Sequence, residues 1–139
     1  MKTADILSRI RETCTSFATI EHALTPPQDM DYPAALVTPT RVQAAPAPML
    51  AGNVHIQDTT ATFSVFVFVG RRSDTELTSK ADDLDALTDE LRAALVGWQV
   101  SADHAPMNFA GGQLDKFHTG LVCWREDFTV ETELRVTQP

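Results

Sequence analysis

The hydrophobic and polar positions along the chain predict two helices. Apolar residues recur at three- and four-residue steps from Ile6 to Phe17, which predicts an amphipathic helix over about residues 3–15. A second apolar stripe of the same period predicts a longer helix over residues 78–98, with Gly97 as its stop. The stripe consists of Leu84, Leu87, Leu91, Ala94, Leu95 and Trp98.

Alternation with a period of two predicts the strands. It is clearest in residues 59–70 (TTATFSVFVFVG) and in residues 121–136, which are long for one strand, so we expect a bend near Glu126. Shorter strands are expected within SFATIEHAL and in AALVTP, which Pro39 should end. Two more should flank a turn or bulge at Gly111-Gly112.

The strand at residues 59–70 has two apolar faces in its second half. Its odd positions are apolar throughout, whereas its even positions begin polar and become aromatic at Phe66 and Phe68. These two rings need a cover, which is either a helix of the same chain or a neighbouring subunit.

Glu126 is out of pattern in the last strand, because it falls on the apolar side between Trp124 and Phe128. A carboxylate there must reach the surface or pair with a cation. Three interpretations follow: a bend that swings Glu126 outward, an ion pair across a subunit boundary, or a catalytic carboxylate.

Residues 38–53 (TPTRVQAAPAPMLAGN) contain three prolines and little periodicity. Alternating Ala and Pro favour extended backbone, so the segment is predicted to be a surface arm or a flexible loop. A long segment of this kind within a compact domain is often functional.

The order of these elements predicts the fold class. Strands outnumber helices and hairpin-like connections dominate, which indicates an α+β domain with a mostly antiparallel sheet and two main helices packed against it. A length of 139 residues suits a single domain over residues 1–139.

The charge balance excludes some partners. The chain has 11 basic and 19 acidic residues and a net charge of −8, which argues against specific nucleic-acid binding and against docking on an anionic membrane. No apolar run approaches the ~20 residues of a membrane span, and we expect no signal peptide. Two cysteines, Cys14 and Cys123, are expected to be reduced core residues in a cytoplasmic setting.

No arrangement of reactive residues indicates catalysis. The four histidines, His22, His55, His104 and His118, have no metal-ligand spacing, and neither a phosphate-binding loop nor a nucleophile elbow is present. We therefore expect no catalytic residue, metal or cofactor. Arg71 and Arg72 are either a solvated strand end or a pair of cations for an acidic neighbour. Surplus apolar surface favours an assembly component.

Four segments in order, YPAALVTP, LRAALVGWQ, FAGGQL and GLVCWREDF, carry a family resemblance. Together they resemble the tail terminator family of Mu-like tailed bacteriophages. The resemblance spans about residues 32–134. It rests on a helix that ends in Gly97-Trp98, a turn at Gly111-Gly112 and a strand from Gly120 to Phe128.

The resemblance implies a non-enzymatic virion protein that is assembled in the host cytoplasm. Such proteins form a ring, usually of six subunits, at the head-proximal end of the tail tube, where the ring stops tube growth and receives the head connector. Its partners would be further copies of itself, the tail tube protein and the connector, with DNA passing through the lumen without specific binding. The candidate subunit-contact residues are Phe66, Phe68, Arg71, Arg72, Glu126, Pro46 and Met49.

Two alternative functions stay open from the residues alone. One is a head-tail connector or completion protein of the phage neck. The other is a small ligand-binding α+β domain, which would need a convergent pocket of histidines and carboxylates.

Overall fold

The structure, a computed structural model, describes residues 2–25, 29–46, 48–70, 77–118 and 121–139. These residues form two helices and six strands. The elements are α1 (Thr3–Thr13), β1 (Thr19–His22), β2 (Ala34–Ala44), β3 (Met49–Ala51), β4 (Val54–Gly70), α2 (Leu77–Leu95), β5 (Asn108–His118) and β6 (Leu121–Thr137).

The strands form one sheet in the order β1-β2-β4-β6-β5, with β3 paired to the beginning of β4. All pairings are antiparallel except β1 with β2, which is parallel. The predicted α+β class with a mostly antiparallel sheet is confirmed.

Both helices pack on the same face of the sheet. That face carries the odd positions of β4, and Phe63, Val65 and Val67 are buried there. The predicted apolar stripes of α1 and α2 provide the other half of the core, which includes Ile6, Ile10, Leu87, Leu91 and Leu95. The helices are confirmed because a continuous apolar stripe has to be buried against a facing surface.

The segment at residues 38–53 is built into the sheet. The sequence predicted that β2 ends at Pro39, but the strand continues to Ala44 opposite β4. A register irregularity between Pro39 and Arg41 accommodates the residue that has no N–H to donate. A two-residue turn, Gly52-Asn53, then joins β3 to β4, and Gly52 has the positive φ of 64° that such turns require.

β6 is a single unbroken strand of 17 residues. It pairs with β4 without a register shift from Thr137 opposite Val54 to Leu121 opposite Gly70. The irregularity lies instead in the neighbouring strand β5, which has register shifts between Phe109 and Gly111 and between Leu114 and Lys116. The Gly111-Gly112 segment is therefore part of a bulged strand rather than a turn between two strands.

Candidate functional site

One half of the sheet extends beyond the helices that cover the other half. A strand of 17 residues such as β4 spans about 56 Å, whereas a helix of 19 residues such as α2 spans about 28 Å. The uncovered half consists of residues 38–44, 49–51, 54–60 and 131–137, and we call it the ribbon. Its β2, β3 and β6 residues are mostly exposed, in contrast to the buried first residues of β2, and the β4 residues between them are mostly half-buried.

The ribbon carries an apolar face on the same side of the sheet as the core. The register places four large exposed residues on that side, namely Val42, Leu50, Leu134 and Val136. Their exposed fractions are 70%, 71%, 47% and 40%. Val42 lies at the open end of the row that contains Ala61 and Val130, and the other three continue the core face past that row. The ribbon therefore presents apolar surface that neither helix covers.

The ribbon also has two open strand edges. β1 pairs only with residues 34–37 of β2, so residues 38–44 have no described strand beside them; we call this edge the β2 border. β5 pairs with β6 no further than Thr129, which leaves residues 132–137 unpaired on that side in the described chain; this is the β6 border. Unpaired edges offer rows of N–H and C=O groups to another strand.

Charged residues lie on both borders of the ribbon and in a groove between them. Arg41 lies exposed on the β2 border and makes no ion pair within the described residues. A groove of 650 Å³ crosses the ribbon from residues 43–46 to Glu131, and it is lined by Asp58, Asp103 and Glu131 and by no basic residue. Glu133 lies further along the β6 border and pairs with Arg135 at 2.7 Å.

At the other end of β6, Glu126 is fully buried and forms an ion pair inside the chain. Arg92 of α2 donates from Nη2 to Glu126 Oε1 at 2.7 Å, and Trp124 Nε1 donates to the same oxygen at 3.2 Å. The expectation that a bend swings Glu126 outward is therefore wrong. β6 keeps its alternation, and the cation that permits burial comes from a helix of the same chain.

Aromatic and glycine residues complete the surroundings of this pair. The Arg92 guanidinium lies 4.5 Å from the ring centre of Phe109, which packs edge-on against Phe128. A β-carbon at Gly112 would lie 3.1 Å from Glu126 Oε2 and equally close to the Trp124 ring, so the glycine makes room for both side chains. The buried atoms Glu126 Oε2 and Arg92 Nε have no hydrogen-bond partner. The cluster ties α2 to the sheet through the fully buried Glu126 carboxylate.

The other candidate contact residues lie apart from this pair. Phe66 and Phe68 are half-buried on the sheet face opposite the helices, where the Arg125 guanidinium lies 6.0 Å from the Phe66 ring centre. Met49 is 66% exposed at the tip of the ribbon, and Pro46 is exposed between β2 and β3. Arg71 and Arg72 lie outside the described residues.

Sequence reasoning missed the four apolar ribbon residues as candidate contact residues. The alternation of β6 placed Leu134 and Val136 on its apolar face, but periodicity does not report how far the covering helices reach. Val42 and Leu50 fell in the segment predicted to be an arm or loop. A comparison of predicted strand and helix lengths would have indicated that the strands extend beyond the helices that cover them.

Titratable and metal-binding groups add no second site in the described residues. Burial is the largest cause that raises the pKa of the Cys14 thiol, so the group is neutral at physiological pH. No three His, Cys, Asp or Glu side chains of the described chain lie close enough together to hold a metal ion. None of its described helices is long and apolar enough to cross a membrane.

Comparison with protein families identifies the family of the chain. No curated protein matches the chain. A family model described as "Phage tail terminator protein" matches residues 1–138, which is nearly the whole sequence. The resemblance found in the sequence is thereby confirmed, and the chain belongs to the phage tail terminator family.

Proposed function

We propose that this protein forms a ring, of six subunits, that caps the head-proximal end of a phage tail tube. The ring stops polymerisation of the tube protein and offers its other face to the head connector. The observation that carries the proposal is the ribbon, whose uncovered apolar face suits an assembly contact, on a chain that matches the family along its length. The protein would be assembled in the host cytoplasm and act in the virion tail, without catalysis.

The remaining candidate contacts fit this role. Phe66 and Phe68 lie on the face opposite the helices, and the register places Met49 on the same side. We assign them, with Pro46, to contacts with a neighbouring subunit or with the tube.

A net charge of −8 would give the ring an acidic lumen that repels DNA in transit. Cryo-electron microscopy of tail ends tests these assignments. A basic lumen, or Phe66 and Phe68 rings that no other subunit covers, would contradict them.

Deletion of the gene from the phage that carries it tests the function. Without a terminator, tubes should grow far past their fixed length, which electron microscopy of the lysate measures. Complementation with the wild-type gene should restore the length. Tails of normal length beside unattached full heads would overturn the proposal and favour the head-tail connector; normal, joined tails would favour a ligand-binding domain outside assembly.

A further inference from the structure

We infer that subunits join through the faces of their sheets, with the helix-side face of one ribbon laid over the aromatic patch of the next copy. The aromatic patch consists of Tyr32, Phe66 and Phe68 on the sheet face opposite the helices. This inference rests on the proposed ring and names the two surfaces that close it. The occupant of each surface is thus a second copy of this chain.

The ribbon separates its charged residues by face. The register places its acidic residues and arginines on the face opposite the helices, namely Arg41, Asp58, Glu131, Glu133 and Arg135. The helix-side face of the described ribbon has no Asp, Glu, Lys or Arg, and it carries Val42, Ala44, Leu50, His55, Gln57, Thr59, Thr132, Leu134 and Val136. In a chain of which 22% is charged, an exposed face without such residues indicates a contact surface.

The aromatic patch is a second apolar surface without a helix over it. Phe66 and Phe68 are half-buried there, and Tyr32 is 44% exposed. A β-carbon at Gly70 would lie 3.2 Å from the Tyr32 ring, which places this ring beside the end of β4. The Arg125 guanidinium near Phe66 is paired with an aspartate on the same face at 2.8 Å. The patch therefore offers apolar contact beside a charge that is already neutralised.

The positions of the two surfaces suit a head-to-tail contact. They lie on opposite faces of the sheet and towards opposite ends of β4. A copy placed over the ribbon of its neighbour leaves its own ribbon free for a third copy. The helices cover about half of the ~56 Å length of β4, so the ribbon matches the covered half that would lie on it. Two different surfaces that meet in this way form the kind of contact that closes into a ring.

Other surfaces of the described chain suit the ribbon less well. Exposed charged residues on the two helices include Asp5, Arg11, Glu12, Asp83, Asp85 and Asp89. Packing these helix faces on the ribbon would bury charge against a face that has none to offer in return. The outer strands are also poor sites for strand addition, because Arg11 Nη2 donates to the Ile20 carbonyl of β1 at 2.7 Å and β5 has two register shifts. Face-to-face packing of two sheets, about 10 Å apart, avoids both costs.

Crosslinking within assembled tails tests the contact directly. The phage lacking the gene is complemented with a chain that carries Gln113→Cys and Leu134→Cys, and its purified tails are treated with a short bis-maleimide. Gln113 is exposed in the same row and on the same face as Phe66, about 30 Å along the sheet from Leu134 in one chain. The link therefore forms only between copies. We expect a ladder of covalent multiples that ends at the ring number.

Two matched pairs of cysteines provide the controls. Glu133→Cys in place of Leu134→Cys moves one thiol to the other face of the ribbon, and Leu114→Cys in place of Gln113→Cys moves the other to the helix side of β5. Neither pair should give a ladder, and the two native cysteines are buried, which limits background reaction. The inference is overturned by tails in which the test pair yields only monomer or links only to the tube protein, or in which a control pair gives the same ladder.

A single added charge provides a second test without crosslinking. Leu134→Asp places a carboxylate on the helix-side face of the ribbon, whereas Thr137→Asp places one on the opposite face of the same strand. Because both positions are exposed, both chains should keep the urea-unfolding midpoint of the wild type. Immunoblots of purified tails should show that Leu134→Asp is lost from them and that Thr137→Asp is retained. Equal retention, or equal loss, would contradict the assignment of this face.

The two proposals can fail separately. Overlong tubes on deletion, together with no ladder from the test pair, would keep the terminator function and overturn the face contact. Tubes of normal length on deletion, together with a ladder from the test pair, would keep the contact and overturn the terminator function.

Discussion

Glu126 is a charged residue on the apolar face of β6, and its burial there depends on a partner from another element. Its position on the apolar face of β6 is local, but its partner, Arg92, comes from a helix 34 residues earlier in the chain. A buried carboxylate is tolerated only when a cation and hydrogen bonds offset the loss of water. Here Arg92 and Trp124 both serve one carboxylate oxygen, and the other oxygen remains unpaired.

Replacing one member of this ion pair should lower the free energy of unfolding more than replacing both members. Because Arg92→Met leaves the Glu126 carboxylate buried without a cation, we expect a loss of about 2–3 kcal/mol in the free energy of unfolding. This value allows for the partial exposure of Arg92, whose side chain is 38% accessible. Urea unfolding at neutral pH measures the loss.

The double variant Arg92→Met with Glu126→Gln provides the matched comparison. Gln keeps an acceptor for Trp124 Nε1 and removes the charge, so the double variant should recover more than half of the loss. Equal losses in the single and double variants would mean that the charge is not what destabilises Arg92→Met.

Cys14 makes stability depend on alkaline pH. Burial raises the pKa of its thiol above the ordinary value of 9.0, so the folded chain holds the proton more tightly than the unfolded chain. This contribution is complete below the unfolded pKa and is lost as the pH rises through the folded one. As the pH rises above the ordinary pKa of the thiol, the free energy of unfolding should therefore fall more in the wild type than in Cys14→Ala. Parallel curves would contradict this origin.

Among the elements, helix ends and strand ends follow from different physical causes. α2 ends where Gly97 adopts a φ of 81°, and the Gly97 N–H donates to the Met107 carbonyl at 2.8 Å. This end was predictable because the residue type itself permits the conformation. The end of β2 was not, since Pro39 ends a strand only if its neighbours require its N–H.

Substitutions at Gly97 should separate backbone strain from steric conflict. A β-carbon there meets no atom within 4 Å, so Gly97→Ala should cost about 1 kcal/mol from the left-handed backbone alone. Asn tolerates this conformation better, so Gly97→Asn should lose less stability. Thermal and urea unfolding compare the two variants, and an equal loss for Ala and Asn would show that backbone conformation is not the cause.

The whole molecule is divided between a covered half, which contains the core, and the ribbon. The β2, β3 and β6 residues of the ribbon are mostly exposed, and its two borders have no strand beside them in the described chain. Such a region should open locally far more readily than the centre of β4, which lies between two strands and under the helices.

Hydrogen exchange should reveal this division. In the single chain, outward-facing amides of residues 38–44 and 132–137 should exchange quickly, whereas residues 61–69 should be protected. In assembled tails, amides of the ribbon should become better protected and residues 61–69 should change little. Ribbon amides that exchange equally fast in both forms would place the assembly contact elsewhere.

Local pattern was sufficient for most of the fold. The apolar stripes of α1 and α2 and the alternation of β4 and β6 predicted these elements, because burial of one face imposes a period of 3.6 or 2 on the residues that form it. The α+β class followed from their order. The position of Glu126 on the apolar face also followed from alternation alone.

Only tertiary packing decided the rest, because it depends on residues far apart in the chain. Arg92 became the partner of Glu126 when α2 docked on β6. β2 continued past Pro39 because β4 offered residues 59–63 as partners. The helices ended before the strands did, and that difference in length, which no local period records, left Val42, Leu50, Leu134 and Val136 exposed on the ribbon.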